Sequence, residues 1–194
     1  MAEKAEVTLV TGVTGLELKR VAEELVRLAG TDHRIVKAED IVVEELGQSL
    51  LDTLDVMFRS PLLTRRQLAR ALDAVVEEVL EAGRALLVMH TSYLRRKHMV
   101  VNPLLYRVLS DPRLRLAGVL VVVDDYYHGL YRVAERVAKG DYIGDTIDPL
   151  TYLQWRGFDL GIAISLIHHG VDVVMFNAKH RVETYERLAR LLLR

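Results

Sequence analysis

The sequence predicts an α/β sandwich, one parallel sheet of five strands with helices on both faces. Three observations lead there. Five short, Val-rich apolar runs end in turn or polar residues, longer segments of helical periodicity lie between them, and no internal repeat or low-complexity tract interrupts the pattern. The 194 residues, 51% of them hydrophobic, supply enough apolar material for one core, so residues 1–194 are read as a single domain.

The apolar runs fall at 7–11, 35–38, 85–89, 118–123 and 171–176. Their near-continuous apolar character, without strict alternation, is what a sheet covered on both faces requires. Residues 16–29 place Leu18, Val21, Ala22, Leu25 and Val26 on one stripe, with Lys19, Arg20, Glu23 and Glu24 largely off it. Residues 67–81 repeat the pattern, and Gly83 follows as a C-cap. Residues 131–138 and 182–193 read similarly. The resulting order, β-α-β-α-α-β-α-β-α-α-β-α, calls for right-handed crossovers. Two connections, 90–103 and 139–151, are polar and poorly periodic, and both are candidate lids.

Composition excludes several functions. Lys plus Arg total 26 against 27 Asp plus Glu, so no global positive field draws in nucleic acid or an anionic membrane. The absence of cysteine removes disulfides, thiolate metal sites and a Cys nucleophile. The acidic start MAEKAE and the lack of a long apolar stretch predict a cytoplasmic chain without leader or membrane helix. With 20 Arg, 6 Lys, 3 Gln and 2 Asn, the chain has few thermolabile side chains and points to a thermophilic source, although the usual Lys enrichment is missing.

The first strand runs into Thr11-Gly12-Val13-Thr14-Gly15-Leu16-Glu17-Leu18-Lys19 and then a helix, the context of a phosphate-binding loop. In the form G-x-x-x-x-G-K-[ST], backbone N–H groups wrap the phosphates, the Lys reaches their outer oxygens and the hydroxyl holds magnesium. Gly12 fits the first position. Glu17 replaces the second Gly, Leu18 the Lys and Lys19 the hydroxyl, which makes the loop degenerate. A carboxylate 4 Å from a phosphate would cost about 4 kcal/mol per charge pair at an effective dielectric near 20. Two readings stand: Gly12 and Gly15 make a tight strand-to-helix turn, or the loop retains a weakened anion site.

His90, Thr91 and Ser92 follow the third strand, and Asp124 and Asp125 follow the fourth, at the sheet edge where doubly wound folds bind ligands. His90 with the two carboxylates is a candidate acid–base or metal site; the alternative is that Asp125 caps the next helix and His90 bonds to backbone. Arg95, Arg96, Lys97 and His98 form the one dense basic run, readable as an RNA patch or as a solvated loop. Tyr126, Tyr127, His128 and Tyr131 serve either as a stacking or oligomer surface or as ordinary aromatic packing. His168 and His169 suit a helix C-terminus. Arg156 and Asp159, three apart, form an intrahelical ion pair or aim an Arg at a phosphate.

Across most of its length the chain resembles the archaeal-type adenylate kinases, in the nucleoside monophosphate kinase branch of the P-loop NTPase fold. The resemblance rests on LVTGVTGLELKRVAEEL, AEDIVVEELG, the Arg59-Ser60-Pro61-Leu62 step, LLVMHTSY, LVVVDD and FDLGIAISLIHHG leading into VDVVMFN. It implies a strand order of 2-3-1-4-5, ATP on the first loop at Gly12, Thr14, Gly15 and Lys19, and a monophosphate site near Asp40 and Arg59. It also implies magnesium. The departures lie in the chemistry. Met89 stands where such kinases carry an acid at the third strand's end, and only Arg132, Arg136 and Arg156 lie near the acidic lid. Phosphoryl transfer works by positioning and charge neutralisation. The expected function is therefore nucleotide or phosphate-ligand binding with the transfer machinery largely lost, as a sensor or adaptor with a protein partner or a homodimer. The alternatives are a divergent nucleoside monophosphate kinase and a ligand-free interaction protein. If chemistry survives, it is expected at His90, Asp124 and Asp125.

Overall fold

The structure, a computed structural model, describes residues 4–12, 16–48, 61–95, 98–139, 148–177 and 182–193. In chain order its elements are β1 (Ala5–Gly12), α1 (Leu18–Ala29), β2 (Arg34–Lys37), α2 (Ala38–Leu46), α3 (Pro61–Ala82), β3 (Arg84–Val88), β4 (Ser92–Arg95) and β5 (His98–Val101). There follow α4 (Pro103–Ser110), β6 (Leu114–Val123), α5 (Tyr126–Ala138), α6 (Pro149–Ser165), a 3₁₀ turn (Leu166–His169), β7 (Asp172–Asn177) and α7 (Val182–Leu192).

One parallel sheet runs β2-β3-β1-β6-β7, the expected 2-3-1-4-5 when its strands alone are counted. Side chains alternate between two cores, as strand geometry demands. Val7, Leu9, Leu87, Val119 and Val121 face α2, α3, α4 and α6, whereas Val10, Leu86, Val88, Leu120 and Val122 face α1 and α7. Continuous apolar strands are thus buried on both sides. On α1, Leu18, Val21, Ala22 and Leu25 fill the second core, and Gly30 ends the helix in the left-handed conformation at φ 61°, its N–H donating to the Val26 carbonyl.

The 90–103 connection differs from the open loop expected of its polarity. Residues 92–95 and 98–101 form an antiparallel hairpin, with Tyr93 and Leu94 buried and Leu94 packed on Trp155. The basic run lies at its tip, Arg95 opposite His98, with Arg96 and Lys97 outside the described residues. Of the 139–151 connection, 140–147 lie outside them too. Among the described residues no helix is long and apolar enough to cross a membrane.

The α4–β6 corner is set by Asp111, a buried carboxylate that accepts from the backbone N–H, Nε and Nη2 of Arg113; Arg113 also reaches Glu77 on α3 at 2.9 Å. Hydrogen bonds from the Arg113 side chain lead the effects that hold the Asp111 carboxyl down at about 2. A depressed carboxyl contributes stability above its unfolded value and loses it as pH falls through the folded one. The difference in melting temperature between the parent and Asp111→Asn is therefore expected to be constant from pH 7 to pH 5 and to shrink progressively between about pH 4 and pH 2. A difference that stays constant down to pH 2 would remove the carboxylate from this role.

Candidate functional site

The strand order reverses between β1 and β3, and a cleft of about 390 Å³ opens there at the C-terminal edge of the sheet. Leu16, Glu17, Lys19 and Arg20 line it from the first turn and α1, Lys37, Glu39 and Asp40 from the β2–α2 step, and Val88 and His90 from the end of β3.

His90 is tied at three points. Its backbone N–H donates to Glu39 Oε1 at 3.1 Å, its carbonyl accepts from Asn102 Nδ2 at 2.8 Å, and its Nδ1 lies 2.8 Å from the Gly12 carbonyl oxygen. A carbonyl can only accept, so Nδ1 carries the hydrogen and, in the neutral ring, Nε2 is the basic nitrogen. Glu39 Oε1 also accepts from the Tyr93 hydroxyl, which in turn accepts from Asn102 Nδ2 at 3.0 Å. Burial, then the nearby Glu39 charge, pushes the Tyr93 phenol well above its ordinary range, so it remains a donor.

Each cation of the cleft is held by a carboxylate. Lys19 pairs with Glu23 at 3.2 Å, Arg20 with Glu17 at 3.3 Å and Lys37 with Asp40 at 2.8 Å. The hydrogen bond to the Asp40 carboxylate raises the Lys37 ammonium above its ordinary value. Glu17 occupies the N-cap of α1; its carbonyl accepts from the Val21 N–H at 3.2 Å, but its side chain makes no cap hydrogen bond, so the start of the helix has a negative charge beside it and no side-chain cap.

Gly12 is required by packing. A Cβ there would stand 2.5 Å from the Val122 carbonyl oxygen and 3.0 Å from Leu16 Cδ1. This close approach to β6 accounts for the glycine at the end of β1; Gly15 and the rest of 13–15 lie outside the described residues. Lys19 and Met89 do not suit magnesium: the first is an ammonium paired with Glu23, and the second is fully buried in the apolar core. Among the described residues no group of three or more His, Asp or Glu could hold a metal ion.

The expected trio of His90, Asp124 and Asp125 is not brought together. Strand β1 separates β3 from β6, which puts their ends two interstrand spacings, roughly 10 Å, apart. Asp124 is buried in an ion pair with Arg132 and accepts from the Asp125 N–H at 2.7 Å. Asp125 starts α5, accepting from the Tyr127 N–H at 3.0 Å through its side chain and from the Gly129 N–H through its carbonyl. It is a helix cap.

Of the other candidate ligand residues, Lys19 and Asp40 line the cleft, and Arg132 is committed to Asp124. Thr14, Gly15 and Arg59 lie outside the described residues, as does the side chain of Arg136. Arg156 is half-buried on α6, and the ion pair expected between it and Asp159 gives way to a different bond. Asp159 faces inward and accepts from the Thr91 and Ser92 hydroxyls. His168 and His169 sit exposed in the 3₁₀ turn that Gly170 closes.

Sequence reasoning missed Lys37, Glu39 and Asn102 and read Asp159 only as a partner for Arg156. Lys37 was within reach as the last residue of a strand at the ligand-binding edge, and Asn102 as the cap before Pro103, where it accepts from the Leu104 N–H. Nothing local marks Glu39 or the inward orientation of Asp159.

No family model and no curated protein sequence matches the chain. Among solved structures it is similar to shikimate kinase from Acinetobacter baumannii in complex with shikimate, with a TM-score of 0.57 and 14% identity over 98% of this chain and 93% of that one. It is also similar to shikimate kinase from Bacteroides thetaiotaomicron, with a TM-score of 0.50 and 11% identity over 97% and 98%. The chain therefore has a P-loop kinase-like fold.

Proposed function

We propose that this protein binds a phosphate-bearing small molecule, a nucleotide such as ATP first among them, at the C-terminal edge of a P-loop kinase-like fold, and that it transfers phosphoryl groups poorly. The observation that carries this reading is the neutralisation of the cleft: Lys19, Arg20 and Lys37 are each engaged by a carboxylate. Such a cleft can exchange one ion pair for a ligand phosphate, but among its described residues Lys19, Arg20 and Lys37 bring no uncommitted charge to a transferring phosphoryl group. A sensor or adaptor needs only the first property.

Thermal unfolding with ATP, ADP and AMP, with and without magnesium, tests binding, and a phosphoryl-transfer assay on the same samples tests turnover. A nucleotide at 100 times its dissociation constant should add about 2.7 kcal/mol of stability. Stabilisation without turnover is expected. Efficient turnover would make the protein a divergent nucleoside monophosphate kinase. The variant Glu17→Gly, Leu18→Lys, Lys19→Ser restores the loop chemistry and is expected to bind ATP with magnesium roughly tenfold more tightly, about 1.4 kcal/mol. Equal affinities in calorimetry would mean that the ligand does not use this turn.

One observation favours a second reading, an interaction protein that forms a homodimer. Leu150, Leu153 and Ile164 stand along one side of α6 with 63%, 52% and 47% of their surface exposed. That reading predicts no response to any nucleotide and a dimer in analytical ultracentrifugation.

A further inference from the structure

We propose that Asp159 is a positioning residue for His90: by holding the two hydroxyls that follow it, Asp159 sets where the chain leaves β3 and thus how the imidazole enters the cleft. Asp159 Oδ1 accepts from Thr91 Oγ1 at 2.8 Å and from Ser92 Oγ at 2.5 Å. Having given its hydrogen to the carboxylate, the Ser92 oxygen accepts from Trp155 Nε1 at 3.0 Å. Trp155 lies one helical turn before Asp159, so α6 grips this step with two side chains from the same face. The bonds of His90 to Glu39, Gly12 and Asn102 fix the other sides of the residue.

Packing alone does not account for a carboxylate here. Asp159 is 2% exposed, and its Oδ2 atom is buried without a hydrogen-bond partner, an arrangement that costs stability. Burial pushes its carboxyl up to about 6, against the hydroxyl bonds and the His90 charge, which pull the other way. The titratable groups on this side are His90 and Tyr93, with Glu39 of α2 behind Tyr93. The Asp124–Arg132 pair borders α5, which packs on α6, and Arg156 lies on α6 itself. Close to neutral pH the carboxyl can therefore change charge next to the ring it positions. The proposal rests on the cleft reading only for why His90 matters; its test uses the ligand-free full chain, so failure of nucleotide binding leaves it intact.

The test is ¹⁵N NMR of the imidazoles in alkaline buffer, with ¹³C NMR of the Asp159 carboxyl across pH. In the parent, His90 should resonate as the Nδ1–H tautomer and Asp159 should titrate near 6. In Asp159→Leu, which removes the acceptor at similar volume, the Nε2–H form of His90 should rise several-fold while circular dichroism stays unchanged. The double variant Thr91→Val, Ser92→Ala keeps the carboxylate and removes both hydroxyls. It should shift the tautomer in the same direction and move the Asp159 titration upward. If Asp159→Leu does not fold, the double variant decides alone. An Nδ1–H ring retained in the folded variants, a parent ring already in the Nε2–H form, or an Asp159 titration near the ordinary carboxylate value would each overturn the proposal.

Discussion

Replacing Gly12 by alanine is expected to destabilise the protein by about 3 kcal/mol, the upper part of the range for overpacking a well-packed site. The new Cβ would meet the Val122 carbonyl oxygen at 2.5 Å. That oxygen belongs to a backbone pairing at the centre of the sheet, with β1 bonded to β3 on one side and to β6 on the other, so neither strand can move aside alone. Leu16 and Leu18, the nearest side chains, close the remaining directions. For a chain of this length the loss corresponds to a fall in melting temperature of roughly 6–12 °C. Gly157→Ala is the control. It lies within α6 with nothing within 4 Å of its Cβ position, and alanine there should be neutral or stabilising by up to about 1 kcal/mol. Urea unfolding of both variants decides the matter. Two small, equal effects would mean that Gly12 serves the ligand and not the packing.

Trp155→Ala should cost about 4 kcal/mol, because a fully buried indole leaves a cavity that its neighbours only partly fill. The indole packs with Leu94 and Met99 in a cluster separate from the two main cores, and its N–H holds Ser92. Its loss should therefore appear first in the hairpin. In hydrogen exchange, the amides of residues 92–101 should lose protection before those of β1 and β6. Trp155→Phe retains most of the packing and removes only the donor, so about 1 kcal/mol is expected. Because Trp155 and Asp159 share Ser92, the double variant Trp155→Phe, Asp159→Asn should deviate from additivity. Uniform loss of protection across the whole sheet would show that this cluster has no independence.

The apolar runs located all five sheet strands because burial on both faces writes itself into consecutive residues. Edges were less legible. Strand β6 begins at Leu114 and not at 118, since exposed Arg115 breaks the apolar run; α5 begins at Tyr126 and not at 131, because its first turn carries exposed aromatics that do not follow the helical stripe. The hairpin was hidden by its basic tip, although Ser92, Tyr93 and Leu94 are buried.

By itself the sequence determined the sheet and its crossovers, because each depends on residue types at short, fixed spacing. Only the tertiary structure decided which side chains meet. It paired Asp124 with Arg132, made Asp125 a cap and seated Met89 in the core. It also joined Asp159 to Thr91 and Ser92 across more than sixty residues of chain and set His90 on the Gly12 carbonyl. Such contacts are made by the stacking of helices on the sheet, and they leave no period in the sequence. A buried carboxylate and a solvated one occupy the same kind of position in an amphipathic pattern until the partner across the interface is known.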